Sequence, residues 1–133
     1  MSVLSIIIPA YNEGRTIHHI LDRVRAVELI NGVAKEIIVV NDCSTDDTED
    51  AISRYRSQYP DFGIRYIKHD INKGKGAAIH TGIREATGDF ILIQDADLEY
   101  DPEEYNLLLK PIMKGSADVV YGSRFAGGKP HRI

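Results

Sequence analysis

Asp89-Phe90-Ile91-Leu92-Ile93-Gln94-Asp95-Ala96-Asp97 is an apolar run that ends in two carboxylates one residue apart, with Glu99 two places further on. Residues i and i+2 of a strand point the same way, so the two acids repel unless a cation lies between them. Hard divalent cations take carboxylate oxygens, and such a metal commonly holds a substrate phosphate as well. The stretch reads as a strand whose carboxyl end carries metal-assisted chemistry on a nucleotide or sugar phosphate. The competing reading is an ordinary acidic loop.

Upstream, the elements alternate. Val3 to Pro9 is a β-branched apolar run, read as a buried strand. Ile17, Ile20, Leu21, Val24 and Val27 recur at helical spacing, and Glu36 to Val40 is a second strand. Ser44 and Thr45 are expected to cap a helix with Asp46 and Asp47 in its first turn and Ala51, Ile52 and Tyr55 on its apolar face. Ile64 to Lys68 reads as a third strand, and Ala78, Ile79, Ile83 and Ala86 mark a third helix, stopped at Gly88. Phe90 to Ile93 is the fourth strand. Downstream, Asp101-Pro102-Glu103-Glu104 opens a helix with Tyr105, Leu108, Leu109 and Ile112 inward and a break at Pro111. Asp118 to Tyr121 is a short fifth strand.

Strand–helix alternation predicts a mostly parallel sheet with helices on both faces, and such a sheet gathers its functional loops at the carboxyl ends of the strands. The chemistry-bearing residues fall there: Pro9 to Glu13, Asn41-Asp42 and Asp95 to Glu99. Residues 1–133 read as one α/β domain, with no internal repeat or linker. The composition, 43% hydrophobic and 27% charged, is that of an ordinary globular domain. A net charge of −4 gives no global attraction to nucleic acid, so no nucleic-acid partner is expected. Cys43 is the single cysteine, which excludes an internal disulfide and fits a reducing compartment. With no apolar run of membrane-spanning length and no secretory signal, the expected location is cytoplasmic.

The phosphate cradles of other α/β classes are missing. The first strand is followed by Pro9-Ala10-Tyr11-Asn12-Glu13 rather than Gly-x-Gly-x-x-Gly, and there is no P-loop. What is present is Ile6-Ile7-Ile8-Pro9-Ala10-Tyr11-Asn12-Glu13, Ile38-Val39-Val40-Asn41-Asp42 with Ser44-Thr45-Asp46, Asn72-Lys73-Gly74-Lys75-Gly76, Asp95-Ala96-Asp97 and Gly122-Ser123-Arg124-Phe125. In that order, the chain resembles the family 2 glycosyltransferases of the GT-A fold. Asp97 to Pro102 and Gly122 to Phe125 look most like the branch that contains dolichol-phosphate mannose synthase and the polyprenyl-phosphate hexosyltransferases.

The resemblance implies a Rossmann-like GT-A fold, here its N-terminal portion, and a nucleotide-diphosphate sugar as donor. Pro9, Ala10, Tyr11 and Glu13 would line the nucleoside pocket, Tyr11 stacking on the base and Glu13 accepting from ribose hydroxyls. Asp42 would accept from the base's N–H edge, with Val40 against the ring. Asp95, next to Ala96, would contact the ribose or sugar side. Asp97 would hold Mg²⁺ or Mn²⁺ on the diphosphate, with Glu99 and Asp95 as further ligands. Lys73 and Arg124 would add positive charge, Arg being suited to bidentate phosphate contact. Transfer would thus rest on Asp95, Asp97 and Arg124. Gly74 and Gly76 would let backbone approach closely. His69, His80 and His131 are read as no metal ligands, and Cys43 as structural.

The same resemblance implies inversion by direct displacement. A hydroxyl acceptor then needs a general base, whereas a lipid phosphate oxygen is already anionic. The expected acceptor is a polyprenyl or dolichyl phosphate, reached at the cytoplasmic face of the membrane, with Lys129, His131 and Arg132 as candidate contacts or a plain basic tail. The acceptor half is expected beyond Ile133, so the isolated chain is expected to bind nucleotide with metal yet transfer sugar poorly. Two alternatives stay open: a polysaccharide-building enzyme with a hydroxyl acceptor, and a binding module without catalysis. A nucleotidyltransferase is disfavoured because its Gly-, Arg- and Lys-containing loop after the first strand is absent.

Overall fold

The computed structural model describes residues 2–96, 105–106, 119–122 and 131–132. Strands β1 (Val3–Ala10), β2 (Ala34–Asn41), β3 (Ile64–Lys68), β4 (Phe90–Gln94), β5 (Val119–Gly122) and β6 (His131–Arg132) form one sheet in the order β3-β2-β1-β4-β5-β6. Pairing is parallel from β3 to β5 and antiparallel between β5 and β6. Helices α1 (Ile17–Ala26), α2 (Thr48–Gln58) and α3 (Lys75–Glu85) connect the first four strands.

Strand parity assigns each helix its face. Leu4, Ile6, Ile8 and Ala10 of β1 and Ile37 and Val39 of β2 join Ile17, Ile20, Leu21 and Val24 of α1 and Ala51, Ile52 and Tyr55 of α2 in the main core. Ile38 and Val40 turn to the other face and pack on Ala78 of α3. Glycines fit α3 closely to the sheet: a Cβ at Gly82 would run into the Ile7 side chain. The α1–α2 contact is tied by Tyr55, whose hydroxyl donates to Asp22 Oδ1 at 2.7 Å and accepts from Arg25 Nε at 3.1 Å. Burial and the neighbouring Asp22 carboxylate push the Tyr55 phenol up to about 12. Lys35 closes the end of α1, donating to the carbonyls of Val24, Arg25 and Val27 at 2.8, 3.0 and 2.8 Å.

The strand order runs outward from β1 in both directions, so the β1–β4 boundary is a topological switch point, where a crevice opens at the carboxyl ends.

Some expectations are corrected. Helix α2 starts at Thr48, and Ser44 and Thr45 do not cap it; they bond to Asn41 and Asn12 instead. Helix α3 ends without a left-handed glycine, since Ala86 is already extended. Gly88 is needed because a Cβ there would strike Ser5 Oγ and the Val3 carbonyl. Strand β6 was not anticipated. Of the fifth strand, Val119–Gly122 is described and the expected first residue, Asp118, lies outside the described residues; of the helix expected from Asp101 only Tyr105 and Asn106 lie in them, both helical. The rest of that helix and its break at Pro111 lie outside them.

Candidate nucleotide site

A cleft of ≈ 350 Å³ opens over the carboxyl ends of β1, β2 and β4, lined by Pro9, Ala10, Tyr11, Glu13, Asp42, Asn72, Gly74, Lys75, Ala78, Asp95 and Ala96. Its walls are the strand ends, the loops that follow them and the first turn of α3, and side chains fix the loops to one another.

The loop after β1 turns at Asn12, whose φ of 54° is left-handed, a conformation Asn tolerates better than most residues. Its amide oxygen accepts from the N–H of Thr45 at 2.8 Å and of Asp46 at 3.3 Å, and its own N–H donates to Ser44 Oγ at 3.0 Å. The Glu13 N–H donates to Thr48 Oγ1 at 2.9 Å and the Gly14 N–H to Asp46 Oδ2 at 3.2 Å. The loop after β2 is thereby locked under the loop after β1. Asp46, expected to be no more than a helix-start acid, is a joint between them. Burial raises its carboxyl, but the Thr48 hydroxyl and N–H and the Gly14 N–H outweigh that and hold it below the usual range. The Thr16 hydroxyl donates to Glu13 Oε2 at 2.9 Å, which orients the Glu13 carboxylate beside the cleft. Tyr11 stands 44% exposed at the rim, a large ring presented to solvent.

Asp42 is only 3% exposed. Its Oδ1 takes the His69 Nδ1 at 2.8 Å and the Lys73 N–H at 2.9 Å, and its Oδ2 takes the Gly74 N–H at 2.8 Å. Burial raises its carboxyl, but the Lys73 N–H, the His69 ring and the Gly74 N–H more than offset it, and the net shift is downward. His69 is buried as well, and its Nε2 lies 2.8 Å from Thr81 Oγ1 on α3. Gly74 has φ 98°, open to glycine and strained for any other residue.

Asp95 is 5% exposed. Its Oδ1 is buried and is paired with the Lys75 ammonium, at the first residue of α3. A buried carboxylate oxygen already facing a positive charge is the hard anionic donor a divalent ion takes, so Asp95 fits the metal the sequence suggests. Among the described residues no three acids or histidines cluster as a metal centre. Below Asp95, the Tyr105 hydroxyl donates to Gln94 Oε1 at 2.6 Å, and Gln94 Nε2 donates to the Asp95 carbonyl at 3.0 Å.

Of the residues named from sequence, Pro9, Ala10, Tyr11, Glu13, Asp42, Asp95 and Ala96 come together in the cleft. Val40 does not line it. It shares a face with Asp42 but sits one step down the strand, fully buried under Ala78. Lys73 is exposed and contributes its backbone N–H to Asp42; the lysine lining the cleft is Lys75. Asp97, Glu99 and Arg124 lie outside the described residues. Asn72, Lys75, Ala78, His69 and Thr81 were missed. For His69 the signal was present, since it directly follows β3 and so lies on the same carboxyl edge as Asp42.

Comparison with known proteins bears on the family and the fold. The Glycosyl transferase family 2 description matches residues 5–131. A dolichol-phosphate mannosyltransferase of Pyrococcus furiosus is 36% identical over 127 residues, 95% of this chain and 34% of its own length. An undecaprenyl-phosphate 4-deoxy-4-formamido-L-arabinose transferase of Yersinia pestis is 35% identical over 112 residues, 84% of this chain and 34% of its own. The chain thus spans about a third of the length of these curated relatives. Among solved structures, the mannosyltransferase PcManGT of Pyrobaculum calidifontis, in complex with GDP-Man and Mn²⁺, superposes with a TM-score of 0.67 at 30% identity, over 76% of this chain and 29% of that one. S. aureus TarS in complex with UDP gives a TM-score of 0.70 at 26% identity, over 86% of this chain and 32% of that one. The fold is that of the GT-A glycosyltransferases, and with nearly the whole chain matched, this protein belongs to glycosyl transferase family 2.

Proposed function

We propose that residues 1–133 are the donor-binding domain of a metal-dependent, inverting hexosyltransferase. It would move a hexose from a GDP- or UDP-linked sugar to a polyprenyl or dolichyl phosphate at the cytoplasmic face of a membrane. The observation that carries this reading is the cleft at the switch point, where an exposed ring, three carboxylates and a lysine converge on one nucleotide-sized space. Tyr11 would stack on the base, Glu13 would take the ribose hydroxyls, and Asp42 the base's N–H edge. Asp97 and Glu99, with Asp95, would hold Mg²⁺ or Mn²⁺, and Lys75 and Arg124 would face the diphosphate. The bound ion supplies Lewis-acid neutralisation of the departing diphosphate. The lipid-phosphate acceptor is supported by the names of the relatives. Among the described residues no helix is long and apolar enough to cross a membrane.

The test is a thermal-shift titration with Mn²⁺ against UDP, GDP, their sugar conjugates and NAD. Metal-dependent stabilisation by a nucleotide diphosphate is expected, and Asp97→Asn should remove its metal-dependent part. A shift specific to NAD, or none with any nucleotide, overturns the reading.

A further inference from the structure

We propose that Asp42 has room for a single base N–H, so that the donor nucleotide carries a pyrimidine-dione base such as uracil rather than guanine, with His69 and Thr81 as the residues that position it. The proposal rests on the nucleotide reading of the cleft.

A carboxylate offers about four lone-pair positions. On Asp42, Oδ1 already accepts from His69 Nδ1 and the Lys73 N–H, at 2.8 and 2.9 Å, and is full. Among the described residues Oδ2 accepts from the Gly74 N–H alone, at 2.8 Å, which leaves one position. Rotation of the carboxylate would break all three bonds inside a site that is 3% exposed. His69 is itself held at its far nitrogen by Thr81, 2.8 Å away. That contact holds the ring in place, and the Asp42 carboxylate, an acceptor only, favours the form with the proton on Nδ1. The nearest carbonyls each hold one donor already: Ala10 accepts from the Asp42 N–H at 2.9 Å, and the Asp42 carbonyl from Asn72 Nδ2 at 3.3 Å.

Uracil presents one imide N–H between two carbonyls and needs one acceptor. Guanine presents two adjacent donors, N1–H and the 2-amino group, and pairs with a carboxylate through both oxygens. Here its second donor would meet a filled oxygen. Adenine and cytosine present a ring-nitrogen lone pair beside their amino group, which faces the carboxylate unfavourably. Sites built for a given set of hydrogen bonds reject bases that leave a partner unpaired. One unpaired buried donor corresponds to about tenfold in affinity or more.

Calorimetric titration of the chain with UDP and with GDP, each with Mn²⁺, tests this, since the two ligands differ only in the base. UDP is expected to bind at least about tenfold tighter. Equal or tighter GDP binding overturns the base assignment and leaves the nucleotide reading intact. Binding of neither overturns the nucleotide reading, and this proposal with it. The positioning role has its own readout. His69→Ala frees one position on Oδ1, so the GDP-to-UDP ratio of Kd should fall toward one. His69→Asn, which places an amide N–H where Nδ1–H stood, should restore it. If His69→Ala weakens both nucleotides equally, His69 is structural only and the positioning claim fails. If His69→Ala does not fold, Thr81→Val reads the same ratio, and an unchanged ratio refutes the claim.

Discussion

Asp42→Asn keeps the shape of the side chain and removes its charge, so it isolates what the carboxylate holds. If the Asn oxygen takes the place of Oδ1, it keeps the His69 and Lys73 donors, but its NH₂ is turned on the Gly74 N–H; the opposite flip leaves two donors facing it. The better arrangement loses one charge-assisted bond and strands one donor, roughly 1.5–3 and 1–3 kcal/mol. The loop at 72–74 can relax toward water, so we expect a net loss of about 3 kcal/mol. Against a domain stability on the order of 10 kcal/mol, that lowers Tm by about 10 °C. The assay is urea unfolding of the nucleotide-free chain at neutral pH, with thermal melting beside it. The pH dependence gives a second reading. The Asp42 carboxyl is depressed in the folded state, so its stabilisation is complete above its ordinary pKa and is lost as the pH falls through the folded value. The variant should therefore lose less stability than the parent on acidification below about pH 4. A change under about 0.5 kcal/mol at neutral pH, with an unchanged denaturant slope, would show that the carboxylate does not hold the loop.

Three further substitutions probe other joints. Glu36 accepts from Ser5 Oγ at 2.6 Å and from the Thr87 N–H and hydroxyl at 2.9 and 2.7 Å, so Glu36→Gln should cost about 1–3 kcal/mol in urea unfolding. Burial raises its carboxyl, but Ser5, Thr87 and Arg65 bring it below the usual value, so acidification to pH 3 should shrink the gap between variant and parent. Lys35→Met leaves three carbonyls at the end of α1 without their ammonium, and a loss of about 1–2 kcal/mol is expected by the same assay. Gly74→Ala forces a left-handed φ on a residue with a Cβ, at about 1–3 kcal/mol, and should weaken nucleotide binding by drawing the Gly74 N–H away from Asp42; unchanged affinity would count against the role of that loop.

The sheet was legible because burial on both faces writes itself as apolar runs, and β1 to β4 fall within a residue or two of the runs Val3 to Pro9, Glu36 to Val40, Ile64 to Lys68 and Phe90 to Ile93. The carboxylates of the cleft were legible for a related reason: a charge at the end of an apolar run has to be accounted for. Three things were not. The true start of α2 was hidden because Ser44 and Thr45 look like caps yet bond to asparagines some distance away in sequence or to the preceding strand end. The depth of Val40 was hidden because strand parity gives the face of a residue but not how far down it lies. Lys75 was passed over for Lys73 because two lysines in a glycine-rich loop cannot be ranked until the start of α3 is fixed.

What escapes the sequence has a common physical form. The cleft is joined by bonds from a side chain of one loop to the next: Asn12 to the backbone of residues 45 and 46, Asp42 to the backbone of residues 73 and 74, and Lys75 to Asp95, with Asn41 bonded to Ser44 inside the loop after β2. Such bonds have no period, and the residues that make them (Asn, Asp, Ser, Lys) are common in any loop. The same arrangement makes the site collectively rigid, because each wall is held by its neighbour rather than by the core. Core substitutions should therefore lower stability while leaving the cleft's selectivity alone. Changes at Asn12, Asn41 or Asp42 should shift how ligands are discriminated by moving a wall, even where the altered atom touches no ligand.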